Sequence, residues 1–326
     1  MNKAYFKQSF KSEIKLLLFI LLVGLISYPL IAIFTYYKIQ RLPIVGYCTT
    51  YLAILCYVIP LLKLNYLYKK NKLDSYYSLP IKRESICFIN LLIGYLQIFI
   101  SFTITYFLGM FITMFLVPTF NYGYYLPLYL SLVILSLLIY LFNSFICSIG
   151  NTIFDAVIIL FLYTLLPFVL YLLLNNIITI NYFTLAPVPF SAFANFNEFF
   201  TKLIAGYNSL PYQLKAVDYI FPILYGLIGI IGLIIKTKKD KAERAEQITD
   251  SYLGYKVLTP VYYTAIFLSV ILEDGPSILL IVLIIIYLIG EIIHYRRIKI
   301  PKTSYIVLGA CTAFCLLFMI VFNLIS

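Results

Sequence analysis

Lys69-Lys70-Asn71-Lys72-Leu73-Asp74-Ser75-Tyr76-Tyr77-Ser78-Leu79-Pro80-Ile81-Lys82-Arg83-Glu84 is a polar, basic stretch set between two long apolar runs. Asp74 has the chemistry of an N-cap, because its carboxylate can accept from the free amides of a following helical turn. Pro80 restricts Leu79 and lacks an amide donor, so a turn that begins at Asp74 should stop at Leu79. A new helix can start at the proline. The expected shape is a short helical piece along a membrane surface, a sharp corner, and a descent into the bilayer. Such a piece is a rigid knob that a soluble partner can push.

The flanking sequence has the composition of a membrane protein. Hydrophobic residues make up 63% of the 326 and charged ones 11%, against about 45–50% and about 25% in soluble domains. No polar segment is long enough to bury a core of its own. The net charge of +11 does not point to nucleic acid, because the basic residues gather at the ends of apolar runs. Cys48, Cys56, Cys87, Cys147, Cys311 and Cys315 all lie inside apolar runs and read as small buried hydrophobes.

A helical span needs about 20 apolar residues. Spans are expected near 16–36, 44–64, 86–112, 127–149, 153–175, 217–235, 258–273, 277–294 and 303–325, so the fold class is an all-α polytopic membrane protein. The seventh range is short, and it could instead be half of a hairpin, which would leave eight spans. Ahead of the first span, Lys3, Lys7, Lys11 and Lys15 recur every four residues beside Phe6, Phe10 and Ile14. Residues 1–15 therefore read as an amphipathic interfacial helix, and no small-residue cleavage site follows the next apolar run. A Tyr-rich turn is expected around Asn121–Tyr125. Residues 176–215 are too apolar for a solvated loop and too broken by proline for a span. A re-entrant hairpin at about 180–212 fits, and a loop resting on headgroups is the alternative. Residues 236–257 alternate acids and bases at helical spacing and read as a charged linker. Of the 24 Lys and Arg residues, all but Lys38, Arg41, Lys202 and Lys215 fall on one side of this arrangement. The positive-inside rule then places the N-terminus in the cytosol of a multi-pass protein of the cytoplasmic membrane.

Catalytic chemistry is hard to find. No Gly-Lys pair occurs, so the phosphate-cradling loop of P-loop ATPases is missing. With His294 as the one histidine, triads that need a histidine partner elsewhere and multi-histidine metal sites are not available. His294, beside Arg296 and Arg297, reads as an interface anchor or a helix-terminal residue. The chain is expected to be no enzyme and to bind no cofactor or metal. Intramembrane charge is a lead by default. Asp155 and Glu291 are the candidate intramembrane polar residues, with Asp218 and Lys63 behind them. Asp155 can instead favour a positive helix N-terminus, and Glu291 can snorkel or pair with a nearby base. Pro29, Pro60, Pro167 and Pro222 are expected to interrupt or end spans.

The run from Asp74 to Glu84 resembles the cytosolic segment of ABC-2-type permeases, the membrane subunits of bacterial ATP-binding-cassette exporters. In many of these a D-x-[YF]-x-S-L-P-[IV]-[KS]-R-like run lies between the second and third spans. The order of parts over residues 1–250 is similar too, including the charged linker after the sixth span. The resemblance implies a six-span core over 16–235 with a coupling segment at 69–85, and about three extra transmembrane helices in 258–326. It implies that Asp74, Tyr76, Tyr77, Ser78, Leu79, Pro80, Lys82 and Arg83 form the coupling site for a separate ATPase subunit, which carries ATP and Mg. It also implies a second permease copy, or a related permease, across the translocation path. Two other classes remain: an ion-coupled secondary transporter, and a non-transporting membrane assembly component.

Overall fold

The computed structural model describes residues 3–30, 32–33, 44–116, 122–180, 220–239, 245–247, 249, 251–272, 277–296 and 300–325. Every regular element among them is helical. In chain order they are α1 (Lys3–Ser12), α2 (Ile14–Leu25) continued by a π-helical turn Ile26–Leu30, α3 (Ile44–Lys63), a 3-10 turn Asn65–Tyr68, and α4 (Lys70–Tyr77). Then come α5 (Arg83–Leu116), α6 (Tyr122–Ile149), α7 (Ile153–Ile180), α8 (Ile220–Lys239), a π-helical turn Tyr252–Lys256 leading into α9 (Val257–Leu272), α10 (Ser277–Tyr295) and α11 (Lys302–Ile325).

Among the described residues, four helices are long and apolar enough to cross a bilayer: Arg83–Leu116, Tyr125–Ile149, Tyr252–Leu272 and Lys302–Val321. A fifth is added if α1 and the α2 segment, bent by 52° at Glu13, count as one broken span. The chain is thus a helical protein with the helices of a multi-pass membrane protein. The turn expected around Asn121–Tyr125 is a correction: Tyr122 to Tyr125 are already helical. Residues 176–180, expected in the outer segment, continue α7. Residues 181–212 of the expected hairpin and the Glu273–Pro276 turn lie outside the described residues, as do 240–244, 248 and 250 of the 236–257 linker. Lys236 to Lys239 extend α8, in keeping with the expected helical start of that linker.

Pro29 and Pro222 sit where a helix tolerates them. Pro60 and Pro167, expected to interrupt or end spans, instead lie inside the unbroken α3 and α7, a further correction. Pro29 falls in the π-helical turn, whose wider ring accommodates the missing amide. Pro222 is the third residue of α8, where no intrahelical donor is needed.

The chain divides into two compact units. The first comprises Met1–Ser148 and Asn195–Ala245, and α5 is its spine. Asn90, Gly94, Gln97, Ser101, Thr105, Gly109 and Thr113 follow one another on α5 at three- or four-residue spacing, and all are buried. Phe88, Leu92, Phe99, Ile104, Leu108, Phe111 and Phe115 are exposed. Small and polar residues inward with large apolar ones outward is the pattern of helices packing in lipid. The ridge is met residue by residue. Tyr51 donates to the Ile20 carbonyl (2.8 Å) and shares a hydrogen bond with Ser101 (2.7 Å). Tyr28 lies against the bare backbone of Gly109, and Tyr140 donates to Leu91 O (2.8 Å). On α8, Gly229 allows an equally close approach, since a Cβ there would sit 2.7 Å from the Leu141 carbonyl carbon.

The second unit comprises Ile149–Ala194 and Glu246–Ser326. Tyr263, Phe267 and Leu268 of α9, Tyr287 of α10 and Cys315 of α11 form its core. Cys56, Cys87 and Cys147 of the first unit are also buried and outside any disulfide, in keeping with the apolar reading of the cysteines, while Cys311 is half-buried.

Candidate functional site

The helix α4 is built on one leucine. Leu73 is 3% exposed, whereas Lys70, Asn71, Lys72, Asp74 and Ser75 around it face outward. Burying a leucine side chain is worth about 1.5–3 kcal/mol, enough to hold two turns of otherwise polar helix in place. Three residues on, the Tyr76 ring packs on Tyr66 with centroids 4.8 Å apart. The helix begins at Lys70, after an extended Lys69 that gives no side-chain cap. Asp74 is therefore its fifth residue and does not cap it, which corrects the N-cap expectation. Burial of Leu73 fixes the register, and that register places Asp74 mid-helix on the outer face.

The corner forms at the residues expected, by a different route. Ser78 N donates to Asp74 O (3.0 Å) and its hydroxyl to Ser75 O (2.9 Å), closing the last turn. Leu79 N reaches Tyr76 O (3.3 Å), and Ile81 N turns back to Leu79 O (2.7 Å). α5 starts at Arg83 and not at Pro80, a second correction. The tight turn through Ile81 uses the residues that would have formed the first helical turn. The Arg83 guanidinium sits 4.4 Å from the Tyr77 ring centroid, a cation–π contact that ties the end of α4 to the start of α5. Of the expected coupling residues, Asp74, Ser78, Leu79, Pro80, Lys82 and Arg83 are exposed, while Tyr76 and Tyr77 are half-buried. The outward surface is thus Lys70, Asn71, Lys72, Asp74 and Ser75 plus Ser78–Pro80.

Beneath α4 lies a floor that the sequence did not announce. Tyr66 and Tyr68 are buried, and burial pushes both phenols well above their ordinary range. The Tyr68 hydroxyl donates to Cys147 O (3.0 Å). From α1, Tyr5 donates to Asn90 Oδ1 (3.1 Å). At the bend between α1 and α2, Glu13 pairs with Lys63, the last residue of α3. Gln97 Nε2 donates to Glu13 Oε2 (3.2 Å) and to Glu13 O (3.3 Å). Lys63, counted in the sequence among the cytosolic bases, is buried. α1 and the segment leading to α4 are thereby fastened to one spine.

Asp155 and Glu291 belong to the second unit and carry different bonds. Asp155, in the first turn of α7, accepts from the Thr249 hydroxyl (2.8 Å) and the Tyr255 hydroxyl (3.3 Å). Arg296 Nη2 lies 3.6 Å from its Oδ2. Thr249 Oγ1 also accepts from Asn151 N (3.0 Å), and the Thr249 carbonyl lies 3.1 Å from His294 Nε2. The helix-terminus reading of Asp155 captures its place, yet the carboxylate also joins α7, residues 249–255 and the end of α10. His294 is buried and is not an interface anchor. Glu291 is buried and accepts from Ser304 Oγ (2.6 Å), so it neither snorkels nor stands as an open acid. No family model, no curated protein and no solved structure matches this chain.

Proposed function

We propose that this chain is the membrane-spanning permease subunit of an ATP-binding-cassette exporter, and that α4 is where a separate ATPase subunit docks. One observation carries this. α4 is a short helix held from below by Leu73 and Tyr76, and its whole outer face is polar with both signs of charge, between two apolar helices. A rigid, charged knob of that kind fits a groove on a soluble protein, where charge complementarity gives specificity and steering. ATP and Mg belong to the partner. Closure of two ATPase subunits presses on α4. The Leu73 and Tyr76–Tyr66 contacts pass that displacement to the end of α3, and the Arg83–Tyr77 contact passes it to α5. In this reading α2, α3, α5, α6, α7 and α8 are the six core spans, and α9, α10 and α11 are the additional ones. The N-terminus is cytosolic. A second copy or a related permease completes the path, with the 180–212 segment as its outer gate.

An ion-coupled transporter is the second reading, and the part-buried Glu13–Lys63–Gln97 cluster favours it. That acid is already neutralised by its lysine, however, so no open carboxylate is offered to an incoming ion there. The discriminating experiment purifies the chain in mild detergent, with and without Lys72→Ala plus Asp74→Ala. Both side chains are exposed, so the double variant should fold. The expected result is a co-purifying protein that hydrolyses ATP with the parent chain and is lost with the variant. No ATPase with either chain, together with transport driven by an ion gradient alone, overturns the exporter reading.

A further inference from the structure

In the second unit, α7, α9 and α10 leave a cavity of about 300 Å³ between them, at the lower end of the range for ligand pockets. Its walls include Ile158 and Leu162 of α7, Tyr262 and Ile266 of α9, and Leu283 and Gly290 of α10. Three of its tyrosines have used their hydroxyls elsewhere. Tyr262 donates to Leu162 O, Tyr287 to Ser304 O (3.4 Å) and Tyr255 to Asp155. Their rings therefore present mainly apolar surface. The fourth, Tyr263, keeps a buried hydroxyl with no partner among the described residues, and no charged residue among the described ones lines the slot. Gly290 keeps the slot open, because the nearest atom to a Cβ there would be Thr259 Cγ2 at 3.9 Å. Ile286 and Ile293, also in the lining, are 57% and 48% exposed. They lie on a helix apolar enough to meet hydrocarbon rather than water at the open side.

The two ends of the slot differ. At one end stand Tyr255, followed directly by the exposed Lys256, and Ile293, one helical turn before Arg296, whose side chain is 47% exposed. The other end, at Ile266 and Leu283, is apolar. An occupant must be hydrocarbon over most of its length and anionic at one end. We propose that this slot seats one acyl chain of an anionic phospholipid, with its phosphate at Lys256 and Arg296. The inference does not depend on the exporter reading. Because Tyr255 both lines the slot and donates to Asp155, an occupied slot also holds residues 249–256 against α7.

The test uses the full-length chain in lipid nanodiscs of phosphatidylcholine containing a trace of phosphatidylglycerol with a mid-chain diazirine. Adducts are mapped by mass spectrometry after photolysis. They should concentrate on Leu162, Ile266 and Leu283 over Leu317 and Ile320, which are simply exposed on α11. Gly290→Leu fills the slot from one wall. It should cut slot adducts by about tenfold, as eviction of two or more buried methylenes would, while labelling of α11 and the unfolding midpoint hold. Leu283→Phe, also on α10, narrows the apolar end of the slot instead and serves if Gly290→Leu fails to fold. Lys256→Gln should remove the preference for phosphatidylglycerol over an equivalent phosphatidylcholine probe. Adducts spread evenly over α11 and the slot, or unchanged by filling it, mean surface lipid only and overturn the site. Equal labelling of the parent chain by both probes overturns its anionic end.

Discussion

Lys63 and Glu13 are paired, but their surroundings differ: the lysine side chain is 2% exposed and the glutamate 32%. Removing one partner of a buried pair costs about 3–5 kcal/mol, because the charge left behind has no water to turn to. Glu13→Gln strands the buried lysine and should cost near the lower end of that range. Lys63→Met leaves a glutamate that is one-third exposed and can rehydrate, so its cost should be clearly smaller. Unfolding midpoints in one detergent, compared with the parent chain, decide this. Equal losses would mean that the pair is not held as described. This pair was not legible in the sequence. Its partners are separated by 50 residues, and Gln97 is 84 residues from Glu13. Local patterning does not encode which acid meets which base across such distances. His294 was only half legible for the same reason. Its position at a helix end was readable, but the return of Thr249 over it was not.

At the scale of elements, the long helices were legible because apolar length alone defines them, and the corner at Leu79–Pro80 was legible because proline has few conformational options. The start of α4 was not. Cap preference pointed to Asp74, but burial of Leu73 and the Tyr66–Tyr76 contact go with a start five residues earlier, after Lys69. One signal was available and was missed: the small and polar residues of α5 from Asn90 to Thr113 recur at helical spacing in an otherwise apolar run, which marks a packed face in lipid. Close helix approach gives a prediction at this scale. Gly229→Ala places a methyl against the α6 backbone, 2.7 Å from Leu141 C, and should lower the unfolding midpoint and separate α8 from α6. Gly309→Ala meets nothing within 4 Å and should leave the midpoint unchanged or raise it slightly, since alanine is the better helix former. Similar behaviour of the two variants would contradict the packing of α8 on α6.

At the scale of the whole molecule, the first unit carries α4, the clamp at Glu13 and the spine α5, while the second carries the Asp155 cluster and the lipid slot. Force from an ATPase would enter through a polar knob of two turns and meet a spine 34 residues long. The most direct measurement is photo-crosslinking in intact cells from a photoreactive amino acid introduced at Ser75 on the outer face of α4. A matched probe at Phe115, which is exposed on α5, serves as control. The expected product is an adduct from position 75, and none from 115, to a protein that hydrolyses ATP once purified. Adducts from position 75 only to lipid or to proteins without ATPase activity would contradict the assignment of α4 as the coupling helix.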